Sequence, residues 1–349
     1  MDGFWLAALK VLIAFGFLFS IVLVLVWAER RLVARMQNRI GPNRAGPAGM
    51  LQTLADGLKL MFKESIDPRR AELGIYLAAP VLALIPALLI FLIIPIGAPI
   101  TIGDTTYDLQ VTDLNIAVLY FLAMSSIAVY AIALAGWSSG SKYPLLGSVR
   151  AAAQMISYEA ALGLALVPVI LYNRTTSLAE IVAAQSGTFF GIFPAWNIVL
   201  IPSFIVFLIA GFAETNRAPF DLVEAEQELV GGYHTEYSGF RFALFFLAEY
   251  INIFSMSAIA ATLFLGGWNG PTFDGVLPGF VSAVLPTIYF LAKTYFLVFL
   301  FFWLRATLPR LRYDQLMQLG WKRLIPGALG WLIVSTLVIS FRQFGPPWS

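Results

Sequence analysis

The sequence predicts an all-α integral membrane protein, with eight transmembrane helices, a cytoplasmic amphipathic helix and an acidic cytoplasmic loop. Three observations carry that expectation. Of 349 residues, 59% are hydrophobic and only 12% charged, too little polar surface to coat a soluble globule of this size. The apolar residues gather into eight long runs, and roughly 20 helical residues cross a hydrocarbon core of about 30 Å. The basic residues between the runs fall on alternate sides: the odd-numbered loops hold 18 Lys and Arg, the even-numbered loops only Arg174.

The spans are expected at 4–28, 73–96, 114–137, 151–172, 196–212, 242–265, 280–304 and 327–341, in one polytopic domain over 1–349. The first run is longer than a signal-peptide core, follows no basic segment and lacks a small-residue cleavage site, so it reads as a retained helix. Pro80, Pro86, Pro168, Pro202 and Pro286 fall inside runs, where they kink helices and free carbonyls that a packed bundle re-satisfies. The bias of positive charge puts the odd loops in the cytoplasm or its mitochondrial equivalent, with both termini on the opposite, periplasmic side.

Within the first cytoplasmic loop, residues 50–64 form an amphipathic pattern. Leu51, Leu54, Leu58 and Met61 fall on one helical stripe, and Gln52, Asp56, Lys59 and Lys63 on another. Such a helix is too short and too charged to span; it either packs at the surface or lines the mouth of a lipophilic-substrate site. Ahead of it, Arg39-Ile40-Gly41-Pro42-Asn43-Arg44-Ala45-Gly46-Pro47 reads as a tightly folded loop rather than a phosphate-binding one, because no strand precedes it and no lysine–serine ending follows.

Three ionisable residues lie well inside spans: Glu159 and Glu249, each roughly two turns from the cytoplasmic end, and Lys293, roughly three turns in. Charge there is expensive and marks ion or proton handling by default. Lys293 is too deep to snorkel comfortably and is expected to compensate a buried carboxylate, either in a network or as a single helix-pinning salt bridge. The acidic loop, 213–241, continues the line from Glu214 through Asp221, Glu224, Glu226 and Glu228. As a helix it would place Asp221, Glu224 and Glu228 on one face, where like charges raise each other's pKa toward neutrality. A solvated acidic surface helix is the alternative, against which the interleaved Phe220, Leu222, Val223, Leu229 and Val230 count.

Chemistry of other kinds is excluded by composition. There is no cysteine, hence no disulfide, thiolate nucleophile or iron–sulfur cluster held by this chain alone. His234 is the single histidine, too few for a bis-histidine haem, and no metal-ligand spacing occurs. Nothing points to nucleic acid.

Two segments, Gly49 to Glu64 and Pro219 to Gly232, resemble the paired motifs of the NADH dehydrogenase subunit 1 family, the H subunit of bacterial respiratory complex I. The first matches through Gly49, Gln52, Asp56, Lys59, Lys63 and Glu64, the second through Pro219-Phe220-Asp221, Glu224, Glu226 and Gly232. Glu29-Arg30, Gly41-Pro42-Asn43, Ile156-Ser157-Tyr158-Glu159, Glu214-Thr215-Asn216-Arg217, Ala248-Glu249-Tyr250 and Arg312-Tyr313-Asp314-Gln315 extend the match along essentially the whole chain.

The resemblance implies a cofactor-free subunit of an H+-translocating NADH-quinone oxidoreductase in an inner membrane, bacterial or mitochondrial. Its substrate would be a quinone, ubiquinone above others, with FMN and iron–sulfur clusters on partner subunits and further hydrophilic and membrane subunits around it. By position, Arg30, Asp56, Phe220, Phe246 and Arg305 would line the quinone chamber. Glu159, Glu214, Asp221, Glu224, Glu226, Glu228 and Glu249 would form an acidic proton path, with Arg217, Lys293 and Arg310 as compensating cations. Two other readings are the homologous membrane subunit of an energy-converting hydrogenase or formate hydrogenlyase, and a stand-alone ion transporter.

Overall fold

A computed structural model describes residues 2–102, 105–189, 193–221, 230–271 and 279–344. The helices are α1 (Asp2–Met36), α2 (Gln52–Phe62), α3 (Leu73–Leu92), α4 (Ala117–Ser138), α5 (Lys142–Asn173), α6 (Leu178–Ala184), α7 (Ile201–Glu214), α8 (Gly239–Phe264), α9 (Gly279–Thr307), α10 (Tyr313–Gln318) and α11 (Ile325–Phe344). A π turn over Leu319–Leu324 joins α10 to α11. Two small antiparallel hairpins, β1 (Ile100–Ile102) with β2 (Thr105–Tyr107) and β3 (Thr188–Phe189) with β4 (Phe193–Pro194), lie in the loops after α3 and α6.

Seven of these helical stretches are long and apolar enough to cross a membrane. The eighth, α7, has 14 residues and reaches only about 21 Å at the helical rise per residue. The expected eight full crossings thus become seven and one short helix among the described residues. Other boundaries differ where charge misled hydropathy. Helix α1 runs on through Glu29, Arg30 and Arg31 to Met36, and α5 begins at Lys142, with Pro144 in its first turn, where no backbone N–H is needed.

Small residues at four-residue spacing explain how the spans meet. Ala79, Ala83 and Ala87 on α3, Ala131 and Ala135 on α4, and Ala161 and Ala165 on α5 are all buried. In hydrocarbon there is no hydrophobic drive between helices, so close backbone approach across such seams supplies the attraction. The chain order α3–α4–α5–α7 is also an order of neighbours, α8 packs on α3 and α9, and α11 returns to α5.

Helix α2 docks on α1 and α8. Its half-buried side carries Gln52, Thr53, Asp56, Gly57 and Leu60, while Leu51, Leu54, Leu58 and Met61 point outward and are about half exposed. The loop before it is fixed by Gly49, whose φ of 78° suits glycine and whose place any Cβ would contest with the Pro42 carbonyl oxygen.

Candidate functional site: a buried charge network

Glu29, buried near the cytoplasm-proximal end of α1 as the sequence orients it, is the hub of the network. Its carboxylate accepts a hydrogen bond from the Tyr250 hydroxyl at 2.6 Å and another from the Arg305 guanidinium, and lies 3.6 Å from Arg217. Arg217 pairs in turn with Glu249. Its guanidinium faces the rings of Tyr250 at 4.8 Å and Phe246 at 5.9 Å. Side chains from α1, α8, α9 and the turn after α7 therefore converge with opposite charges touching, the arrangement that makes burial of charge tolerable.

One residue along α1, Arg30 donates to Asp56 of α2 at 2.5 Å, and Gln52 donates to the same carboxylate at 3.1 Å. Partial burial works against ionisation of Asp56. The hydrogen bonds from Arg30 and Gln52 outweigh it, with the Arg30 and Lys59 charges adding, and hold its carboxyl below the usual range.

On the other flank, the adjacent serines Ser125 and Ser126 of α4 donate to Glu214 and Glu159 respectively. The second oxygen of Glu214, Oε2, is buried without a hydrogen-bond partner among the described residues. Glu214 and Glu249 line one cavity of about 50 Å³ together with Asn216, Tyr233, His234 and Asn252. A smaller one of about 20 Å³ shares Glu214, Thr215 and Asn252 and adds Ser125 and Ser255. Each has room for a water molecule beside its polar side chains.

The turn between α7 and the acidic loop is tied down by Gln154, whose Nε2 reaches the Ala213 carbonyl at 2.7 Å and the Phe220 carbonyl at 2.9 Å. Asp221 is buried and bonded by Arg310 at 3.1 Å. His234, in the 3-10 turn before α8, is boxed by Tyr233 and Phe242. Burial pushes its imidazole down to about 4, with the Asp221 carboxylate acting the other way.

Of the residues singled out in the sequence, Phe246 and Arg305 thus meet around Arg217 and Glu29, while Arg30 and Asp56 pair with each other one residue further along α1. Phe220 stands off, edge to face on Tyr158 at 5.6 Å. Glu159, Glu214 and Glu249 follow one another along the serine pair and the cavity. Glu224, Glu226 and Glu228 lie outside the described residues.

Lys293 requires a correction. It pairs with no carboxylate among the described residues but donates to the carbonyls of Leu265 at 2.7 Å, Gly267 at 2.9 Å and Asn269 at 2.5 Å, over the ring of Trp196 at 4.2 Å. Its long side chain turns toward the end of α9 away from the charge network, where the turn closing α8 presents its carbonyls. Glu29 and Tyr250 stand in matched motifs, yet the sequence assigns them no role. The available signal is a carboxylate directly before Arg30, which reads as a helix end when it is a helix interior.

A family profile described as NADH dehydrogenase matches residues 9–336. The H subunit of the NADH-quinone oxidoreductase of Frankia casuarinae is 53% identical over 343 residues, covering 98% of this chain and 74% of that protein. The protein of the same name from Frankia alni is 52% identical over the same shares. With a profile spanning nearly all the helices and relatives identical at more than half of the aligned positions, the chain belongs to the NADH dehydrogenase family.

Proposed function

We propose that the chain is the membrane subunit of a proton-translocating NADH-quinone oxidoreductase, where it walls part of the quinone chamber and passes the charge of quinone reduction to a row of carboxylates. The buried cluster of Glu29, Arg217, Glu249, Tyr250 and Arg305 carries this reading, because Glu29 neighbours Arg30 of the Arg30–Asp56 pair along α1 and Glu249 lines the cavity that Glu214 shares. The names of the relatives speak for complex I over a hydrogenase partner or a stand-alone transporter.

Quinone takes two electrons and two protons to become quinol. Without cysteine, this chain receives no electrons itself; iron–sulfur clusters and FMN on partner subunits supply them. Negative charge arriving on a quinone beside Arg217 and Arg305 competes with Glu29 and Glu249 for the same guanidinium groups. A carboxylate released from its cation gains proton affinity, and coupled carboxylates respond by shifting protons toward Glu214 and Glu159. Arg310 holds Asp221 at the entrance of the acidic loop. These side chains exchange protons only; no other bond is made or broken by them. In this reading both termini face the periplasm and the charged loops face the hydrophilic partners.

Photo-crosslinking of the intact complex with a quinone analogue tests the chamber: labelling at Phe246 or Asp56 is expected, and labelling confined to other subunits overturns it. Glu214→Gln should leave the complex assembled and lower coupled turnover; normal pumping by that variant removes Glu214 from the path.

A further inference from the structure

A second cleft lies between α7 and α9. An open groove of about 650 Å³ is lined there by apolar side chains, among them Ile209, Phe212, Phe220, Leu300, Trp303 and Leu308. That volume is within the roughly 300–1,000 Å³ of ligand clefts. Its end nearest the charged loops is bordered by Pro309, Leu311 and Leu319, which alternate with or precede four cations: Arg310, Arg312, Lys322 and Arg323. Asp221 bonds Arg310 and Asp314 bonds Arg312. Lys322 and Arg323 follow Leu319 by about one turn, are exposed, and form no ion pair among the described residues. Trp303, about half exposed, lines the groove.

An apolar groove whose end residues Pro309, Leu311 and Leu319 neighbour four cations along the chain is matched by one chemistry. From it we infer that the α7–α9 groove is a binding site for an anionic phospholipid, its acyl chain along Ile209, Leu300 and Trp303 and its phosphate at Lys322 and Arg323. A neighbouring subunit's apolar helix would fill the groove without using those cations, and a zwitterionic lipid would gain little from them. Phe220, one of the groove's lining residues, is also among those the resemblance assigns to the quinone chamber; neither Glu29 nor the Glu214 cavity takes part, and displacement by a quinone analogue separates the two readings.

The test uses the assembled complex in lipid vesicles containing an anionic phospholipid with a photoreactive acyl chain. Labelling is expected on α7 and α9, competed by unlabelled anionic lipid and not by phosphatidylcholine. Lys322→Gln and Arg323→Gln should each weaken labelling about fivefold, and Ile209→Trp, which fills the groove and keeps the cations, should abolish it. Equal competition by phosphatidylcholine, indifference to both charge substitutions, displacement by a quinone analogue, or labelling confined to a neighbouring subunit would each overturn the assignment.

Discussion

Replacing Glu29 with glutamine removes one charge from the centre of the network while keeping its shape. Glutamine still accepts from the Tyr250 hydroxyl, but Arg217 is then left with Glu249, and Arg305 with no carboxylate among the described residues. Breaking a buried ion pair on one side costs about 3–5 kcal/mol. The Arg217 side chain is 6% exposed and cannot recover solvent, whereas that of Arg305 is 37% exposed and can. The loss should therefore sit near the lower end, about 3 kcal/mol, on the order of a hundredfold in the folded fraction. Unfolding of the purified chain in mixed micelles of increasing sodium dodecyl sulfate, followed by tryptophan fluorescence, measures it. Tyr250→Phe should cost about 1.5–3 kcal/mol alone, as a hydrogen bond to a charge, and about 1 kcal/mol in the Glu29→Gln background. A Glu29→Gln effect below about 0.5 kcal/mol, or strict additivity with Tyr250→Phe, would refute the hub.

Acid stability should depend on His234. Its folded imidazole binds a proton only near pH 4, against 6.5 in the unfolded chain, so its share of stability is complete above about 6.5 and is lost as pH falls toward 4. The slope reaches about 1.4 kcal/mol per pH unit and should disappear in His234→Gln; an unaltered slope between pH 6.5 and 5 counts against its burial. Gly49→Ala forces a Cβ toward the Pro42 carbonyl and should cost about 1–3 kcal/mol, seen as faster proteolysis of the α1–α2 loop. Lys293→Met strips three carbonyls of their donor and should lower stability by about 3 kcal/mol in the same micelle titration. Exchanging the partners in Arg30→Asp, Asp56→Arg should restore quinone reductase activity that either single change lowers, provided that the pair acts as a tether for α2.

Hydropathy made the long spans legible because bilayer thickness fixes a length and composition that few other structures share. It failed where a helix outlives its apolar stretch. Glu29 and Arg30 read as the first residues of a loop, yet α1 continues because α2 docks there and Asp56 pairs with Arg30. For the same reason the hub of the site went unassigned: its partners Tyr250 and Arg305 are more than 200 positions away in the chain. Lys293 was legible as a buried cation, but its partners are backbone carbonyls, which carry no residue-type signal. The acidic character of the loop was plain, whereas the pairing of Asp221 with Arg310 depended on the fold of the 308–319 segment.

The outward-facing stripe of α2 bears on how such a chain is made. Leu51, Leu54, Leu58, Met61 and Phe62 are left uncovered on a helix that hydrogen bonds to the bundle through its polar side. A newly inserted chain therefore carries an adhesive flap on its charged face until lipid or a neighbouring protein lies against it. Biogenesis should favour early capture of that flap, and overproduction of the chain without its partners should lead to association through these five side chains rather than through the bundle. Glutamate at Leu54 and Leu58 would make the lone chain easier to handle and the finished enzyme harder to build.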